Sequence, residues 1–231
     1  MGSIELSTFN QSLFKAYDDY PQKNMLTFPY LGTPTDEYWS ALTKVVVMNR
    51  ETNGWGEKEF KEGKLQSFDD LIDLYITKIN INRENLGSIW PMYNAFRDLS
   101  EEGKVGFFHS NVALIGKPYN QKGFDQSIKV LLVEYLNKLV KLLEVDVLLL
   151  GIGFGTKTRT EDPYLELLES TFLGELEKRE ELEDCPGLYK LKFKNQGDIW
   201  IYGYGHPQGL AYKPIVDKIK YILKERLNSY T

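Results

Sequence analysis

Short apolar runs, each bounded by polar or glycine-bearing segments, punctuate the chain. Val45, Val46, Val47 and Met48 form a β-branched run that gives way to the polar stretch 49–56, as a buried strand does on entering a loop. Residues 105–114 (VGFFHSNVAL) form a second strand candidate, interrupted in its C-terminal half by His109, Ser110 and Asn111. A third covers 145–150 and ends on Gly151, Gly153 and Gly155. The fourth, 199–204, is broken by Gly203 and Gly205 and runs into His206-Pro207.

Between these runs the apolar period changes to that of a helix. Ile128, Leu131, Leu132, Tyr135, Leu136, Leu139, Leu142 and Leu143 recur at i, i+3 and i+4, which predicts a helix over 128–143. Ser67 followed by Asp70 is a capping pattern ahead of Leu71, Ile72, Leu74 and Tyr75. Further helices are predicted over 86–99 (kinked or started at Pro91), over 166–176 after the turn at Asp162-Pro163, and from Pro214 onward. Strands alternating with helices predict a three-layer α/β/α sandwich around a central, mostly parallel four-stranded sheet. With no repeat, low-complexity tract or linker, residues 1–231 read as one domain. Ligands of such sheets lie beyond the C-terminal ends of the strands. Those ends are predicted at 49–55, 109–111, 151–158 and 204–210.

Composition narrows the classes. The 42% hydrophobic and 26% charged content is that of a folded globular protein, with no apolar span long enough for a membrane helix and no signal-peptide pattern. A soluble, cytoplasmic protein with no membrane partner is expected. The net charge of -5 argues against a generic polyanion binder but permits a local basic cleft, because a field depends on where charges sit. Cys185 is the single cysteine, and His109 and His206 are the two imidazoles. A disulfide, an iron–sulfur cluster and a Cys- or His-based metal site are therefore not expected, and no cofactor is implied.

Candidate chemistry lies at the predicted strand ends. Gly151-Ile-Gly-Phe-Gly-Thr-Lys157-Thr158 approaches a phosphate-binding loop, but Thr156 stands where a glycine is needed, so a plain turn is the better reading. Glu51 follows the first strand, where a carboxylate faces the ligand cleft or pairs with Arg50. Asn111 places an amide within an apolar strand, and both ends of that amide need partners. His206 sits on a tight Gly205-His206-Pro207-Gln208-Gly209-Leu210 turn.

Taken in order, an acid after the first strand, an Asn on the second and His-Pro after the last resemble the uracil-DNA glycosylase superfamily. The family's strand into Gly-Gln-Asp-Pro-Tyr-His is similar to residues 45–48 running into Asn49-Arg50-Glu51-Thr52-Asn53. Its strand ending in Leu-Leu-Asn resembles Phe107-Phe108-His109-Ser110-Asn111, and its His-Pro-Ser-Pro-Leu resembles His206-Pro207-Gln208-Gly209-Leu210. The strand of the type Val-Phe-Leu-Leu-Trp-Gly is similar to 145–151, so the likeness spans residues 43 to 212. The departures are Glu for Asp, Asn49-Arg50 for Gly-Gln and Thr52-Asn53 for Pro-Tyr, and the clustered cysteines of the iron–sulfur branches are absent.

The resemblance implies a metal-free, monomeric enzyme that flips a pyrimidine out of DNA and hydrolyses its N-glycosidic bond. Glu51 would orient water and steady positive charge on the sugar, and His206 would stabilise negative charge at the base O2. Asn111 would read the base edge, Trp55 (preferred) or Phe68 would stack on it, and Leu210 would fill the gap left in the duplex. Arg50, Lys157, Arg159, Pro207, Gln208 and Gly209 would contact DNA. Asn53, with Gly54 beside it, stands where the uracil-specific members place a Tyr against C5. Both uracil and a bulky 5-modified pyrimidine of phage DNA, such as hydroxymethylcytosine or its glucosylated form, thus stay open as substrates, in repair or in anti-phage defence. Rival readings are a non-catalytic nucleic-acid-binding relative and a nucleotide-binding protein using the 151–158 loop.

Overall fold

The β-branched run around Val46 becomes an interior strand of the sheet, because its side chains are apolar on both faces and both edges of the strand pair. In the computed structural model, which describes residues 2–51, 55–81, 99, 103–117, 124, 126–153, 163–205 and 212–228, β1 (Thr43–Glu51) lies between β2 (Val105–Ala113) and β3 (Val147–Gly151), parallel to both. β4 (Leu176–Leu182) and β5 (Cys185–Phe193) form an antiparallel pair, and β5 pairs antiparallel with β6 (Trp200–Tyr204). β6 runs parallel to β3, so the order across the sheet is β2-β1-β3-β6-β5-β4.

The four expected strands are present and mutually parallel, within a few residues of their expected bounds. The expected strand number is corrected: the sheet has six strands among the described residues, and its far edge is an antiparallel hairpin. β5 alternates Tyr189, Leu191 and Phe193, which are buried, with Lys190 and Lys192, which are exposed. β4 is the charged edge strand, LEKREEL, whose five central residues are exposed. Charge along an open edge discourages pairing with other chains.

Helices cover both faces. Alternate residues of the strands (Val46, Met48, Phe108, Leu148, Leu150, Ile201) pack with α1 (Gly2–Asp18), α4 (Phe68–Tyr75), α5 (Lys129–Leu142) and α6 (Pro163–Glu169). The opposite set (Val45, Val47, Phe107, Val147, Leu149, Tyr202) packs with Ile215, Val216, Ile219 and Leu223 of α7 (Tyr212–Asn228). Two short α-helices, α2 (Asp36–Ser40) and α3 (Glu57–Lys61), lie among the described residues as well, with 3-10 turns at Lys23–Met25 and Gln126–Ile128 and a π-helix over Ile76–Ile81. The periodic stretch 128–143 is α5, shortened by a residue at each end, and the Ser67–Asp70 pattern is a complete capping box on α4. The expected helix over 166–176 is instead α6 from 163 to 169, and Leu176 already belongs to β4. The expected helix over 86–99 lies outside the described residues, Leu99 excepted.

The topology shows where the connections part. From β1 the chain proceeds to β2 on one side, while from β3 it proceeds toward β6 on the other. Connections diverge at β1 and β3, and ligands of parallel sheets sit where such connections part, at the carboxyl ends. Near those ends Asn49 of β1 and Gly151 of β3 are register partners.

Candidate functional site

Three parallel strands deliver a row of residues to this edge. Asn49 of β1 is in register with Asn111 of β2 on one side and with Gly151 of β3 on the other. A methyl group at Gly151 would overlap the Asn49 Oδ1 and press on the Tyr204 ring. The bare Cα of Gly151 is therefore what lets the Asn49 amide lie across the sheet.

Behind this row sits His109, one step inside on β2 and 1% exposed. Its Nε2 is 3.0 Å from the Asn49 Nδ2, and its Nδ1 is 2.7 Å from the Tyr30 hydroxyl. The amide NH₂ donates to Nε2, so the imidazole carries its proton on Nδ1 and donates it to Tyr30. Burial pushes the His109 pKa well below the ordinary imidazole range, which keeps the ring neutral and able to accept. The Tyr75 hydroxyl donates to the His109 carbonyl at 2.8 Å, so α4 covers the outer edge of β2 at this point. The Tyr30 ring meets His109, Tyr75 and Trp55 edge-on, with centroids 5.4, 5.5 and 4.7 Å away.

Polar groups in this cluster are incompletely satisfied. The Asn49 Oδ1 and the Trp55 Nε1 are buried with no hydrogen-bond partner among the described residues. Asn111, in register with Asn49, is 4% exposed. A buried unpaired polar group costs about 1–3 kcal/mol, and the Trp39 Nε1 and Thr43 Oγ1, away from this edge, are likewise buried without a partner among the described residues.

The residues expected at a site are distributed as follows. Asn111 and Trp55 belong to this cluster, and the Lys78 Nζ lies 5.9 Å from the Trp55 ring centroid. Phe68 opens α4 and packs edge-on against Phe14 of α1, with centroids 5.9 Å apart. Arg50 turns toward β3: its Nε donates to the Ile152 carbonyl at 3.0 Å, and its guanidinium lies 5.9 Å from the Tyr164 ring centroid. Gly153, at φ +96°, leaves the space that the Arg50 guanidinium fills. The backbone of Glu51 ends β1 opposite Ala113. Asn53, Lys157, Arg159, His206, Pro207, Gln208, Gly209 and Leu210 lie outside the described residues; β6 ends at Tyr204, two residues before His206.

Asn49, His109 and Tyr30 are the members that sequence reasoning did not single out as site residues. A signal existed for two of them: an Asn and a His within otherwise apolar strands are expensive to bury without a purpose. Tyr30 carried none, since its role depends on the 27–31 segment running beside residues 114–116, where the Tyr30 N–H donates to the Leu114 carbonyl at 2.8 Å.

Among the described residues, no group of three or more His, Cys, Asp or Glu is gathered to hold a metal ion, and no helix is long and apolar enough to cross a membrane. Neither the family models nor the curated proteins contain a match to this chain.

Proposed function

We propose that this protein is a DNA glycosylase of the uracil-DNA glycosylase type, a monomer that flips a pyrimidine from DNA and hydrolyses its N-glycosidic bond without a metal. The reading is carried by one observation: parallel β1, β2, β3 and β6 bring the Glu51 end of β1, Asn111 and the end of β6 to the same edge of the sheet. That convergence is what the order of the sequence motifs requires. Breaking the C–N bond makes the sugar cationic and the base anionic, and a carboxylate and an imidazole set at the two sides oppose those charges where they arise. A base inside a duplex is out of reach, so it must leave the stack and meet a pocket of amide and aromatic groups. Asn111 and Trp55 supply such groups, while Arg50, tied to the Ile152 carbonyl, serves the frame of the site as much as the DNA.

The Gly151 loop gives less support to nucleotide binding, since the Gly153 N–H points at the Tyr204 carbonyl, 3.1 Å away, rather than outward to a phosphate. Base release under single-turnover conditions, from duplexes carrying uracil, thymine, 5-hydroxymethylcytosine or its glucosylated form, tests the proposal. Glu51→Gln should retain DNA affinity and lose rate by orders of magnitude, and His206→Ala should raise the barrier by roughly 2–4 kcal/mol. DNA binding with no release from any duplex would leave a non-catalytic binder. The preferred base follows from the same panel: Asn53→Tyr should suppress release of 5-substituted pyrimidines and spare uracil if the C5 side is open.

A further inference from the structure

The glycosylase resemblance assigns no role to the Asn49–His109–Tyr30 chain. Its position asks for a role. Asn49 and Asn111 are register partners near the carboxyl edge of the sheet, and the Asn49 Oδ1 is buried without a hydrogen-bond partner among the described residues. They differ in one respect: nothing described fixes which way the Asn111 amide faces, whereas Asn49 is oriented. Its Nδ2 donates to His109 Nε2, so its Oδ1 is left as an acceptor over the bare Cα of Gly151 and beside Tyr204. His109 does this only as a neutral ring with Nδ1 protonated, and that Nδ1–H then donates to the Tyr30 oxygen 2.7 Å away.

We infer that Asn49 is a second base-reading residue, presenting a fixed acceptor to an N–H on the pyrimidine edge, and that His109 is the positioning residue that fixes it. This deepens the glycosylase reading and rests on it for the identity of the ligand as a flipped pyrimidine. A freely turning amide accommodates either face of a base edge. A clamped one demands a hydrogen at one place, and a site that demands a donor rejects a ligand lacking it. The acceptor demand is met by N3–H of uracil or the N4 amine of cytosine, and is not met when N3 of uracil is methylated.

The full-length protein, ¹⁵N-labelled, is titrated with 2′-deoxyuridine, 2′-deoxycytidine and N3-methyl-2′-deoxyuridine while the Asn side-chain amide signals are followed by NMR. The first two should move the signals of both Asn49 and Asn111, and the methylated nucleoside should bind at least about tenfold more weakly and leave Asn49 unmoved. His109→Phe should abolish the Asn49 response and His109→Gln, whose carbonyl can accept in place of Nε2, should restore it, with both variants checked for folding by thermal unfolding. If His109→Phe does not fold, Asn49→Ala replaces it, and loss of the preference for deoxyuridine over its N3-methyl form is the expected result. Nucleosides that shift Asn111 and not Asn49, or that shift neither, overturn the inference, as does an unaltered Asn49 response in folded His109→Phe. The two readings separate cleanly. Responses at Asn49 without base release from any duplex uphold base reading and sink the glycosylase, while base release with a silent Asn49 does the reverse.

Discussion

His109 is neutral because no water reaches it, and this makes the stability of the protein depend on pH. In the folded chain burial depresses its pKa well below the ordinary value of 6.5, while the unfolded chain takes up a proton near that value. Between the two, the unfolded state binds more protons, so the His109 contribution is complete above about pH 6.5 and is lost as pH falls toward the folded-state pKa. The slope approaches about 1.4 kcal/mol per pH unit. Urea unfolding of the parent and of His109→Phe from pH 7.5 to 5.5 should give a steeper fall for the parent; parallel curves would show that the protonated ring is tolerated. At the same scale, Gly151→Ala should displace the Asn49 amide, because the added methyl overlaps Oδ1. A change in the His109 ring ¹⁵N shifts would report it.

Among the elements, α4 links a local sequence signal to the site. Ser67 Oγ accepts from the Asp70 N–H at 3.2 Å, and the Asp70 carboxylate accepts from the Ser67 and Gln66 N–H groups, each at 2.8 Å. The last α-helical residue, Tyr75, is the one that holds the His109 carbonyl. Ser67→Ala should lower stability by about 1 kcal/mol, read by denaturant unfolding, and should increase hydrogen exchange along α4. An unchanged midpoint would mean that packing of Leu71 and Tyr75 alone fixes this helix. The β4–β5 hairpin shows the reverse relation of sequence to element. LEKREEL has no apolar period to announce a strand, and β4 forms because β5 offers it an edge with cross-strand partners such as Lys192 and Glu177.

Across the whole molecule, the end of the sheet opposite the site is tied by one carboxylate. Asp146, just before β3, accepts the Lys44 N–H at 2.8 Å and the Arg226 Nη2 at 3.1 Å, and Arg226 also lies 4.7 Å over the Trp200 ring. Asp146 and Arg226 together thus join β1, β3, β6 and α7. Asp146→Ala removes one partner of a guanidinium that is 10% exposed and should cost about 1–3 kcal/mol, measured by chemical denaturation. Because this knot lies at the strands' amino ends, ligand response at Asn49 and Asn111 should persist in the folded variant. Loss of that response would show the two ends of the sheet to be coupled.

What the sequence determined by itself is the α/β class and the four mutually parallel strands. Those follow from periodicity: β-branched runs such as 45–48 bury on both faces, the 128–143 pattern buries one face of a helix, and glycines end the strands. Local spacing carries that information without reference to the rest of the chain. Tertiary structure decided the β4–β5 edge, the early end of α6 and the company kept by His109 and Asn49. Each depends on partners distant along the chain, as Tyr30 is from His109 and Gly151 from Asn49. An amide in an apolar strand reads as a ligand contact, a buried hydrogen-bonder or an oriented acceptor, and only the neighbours brought by folding choose among these. For Asn49 they are a neutral imidazole on one side and a missing side chain on the other.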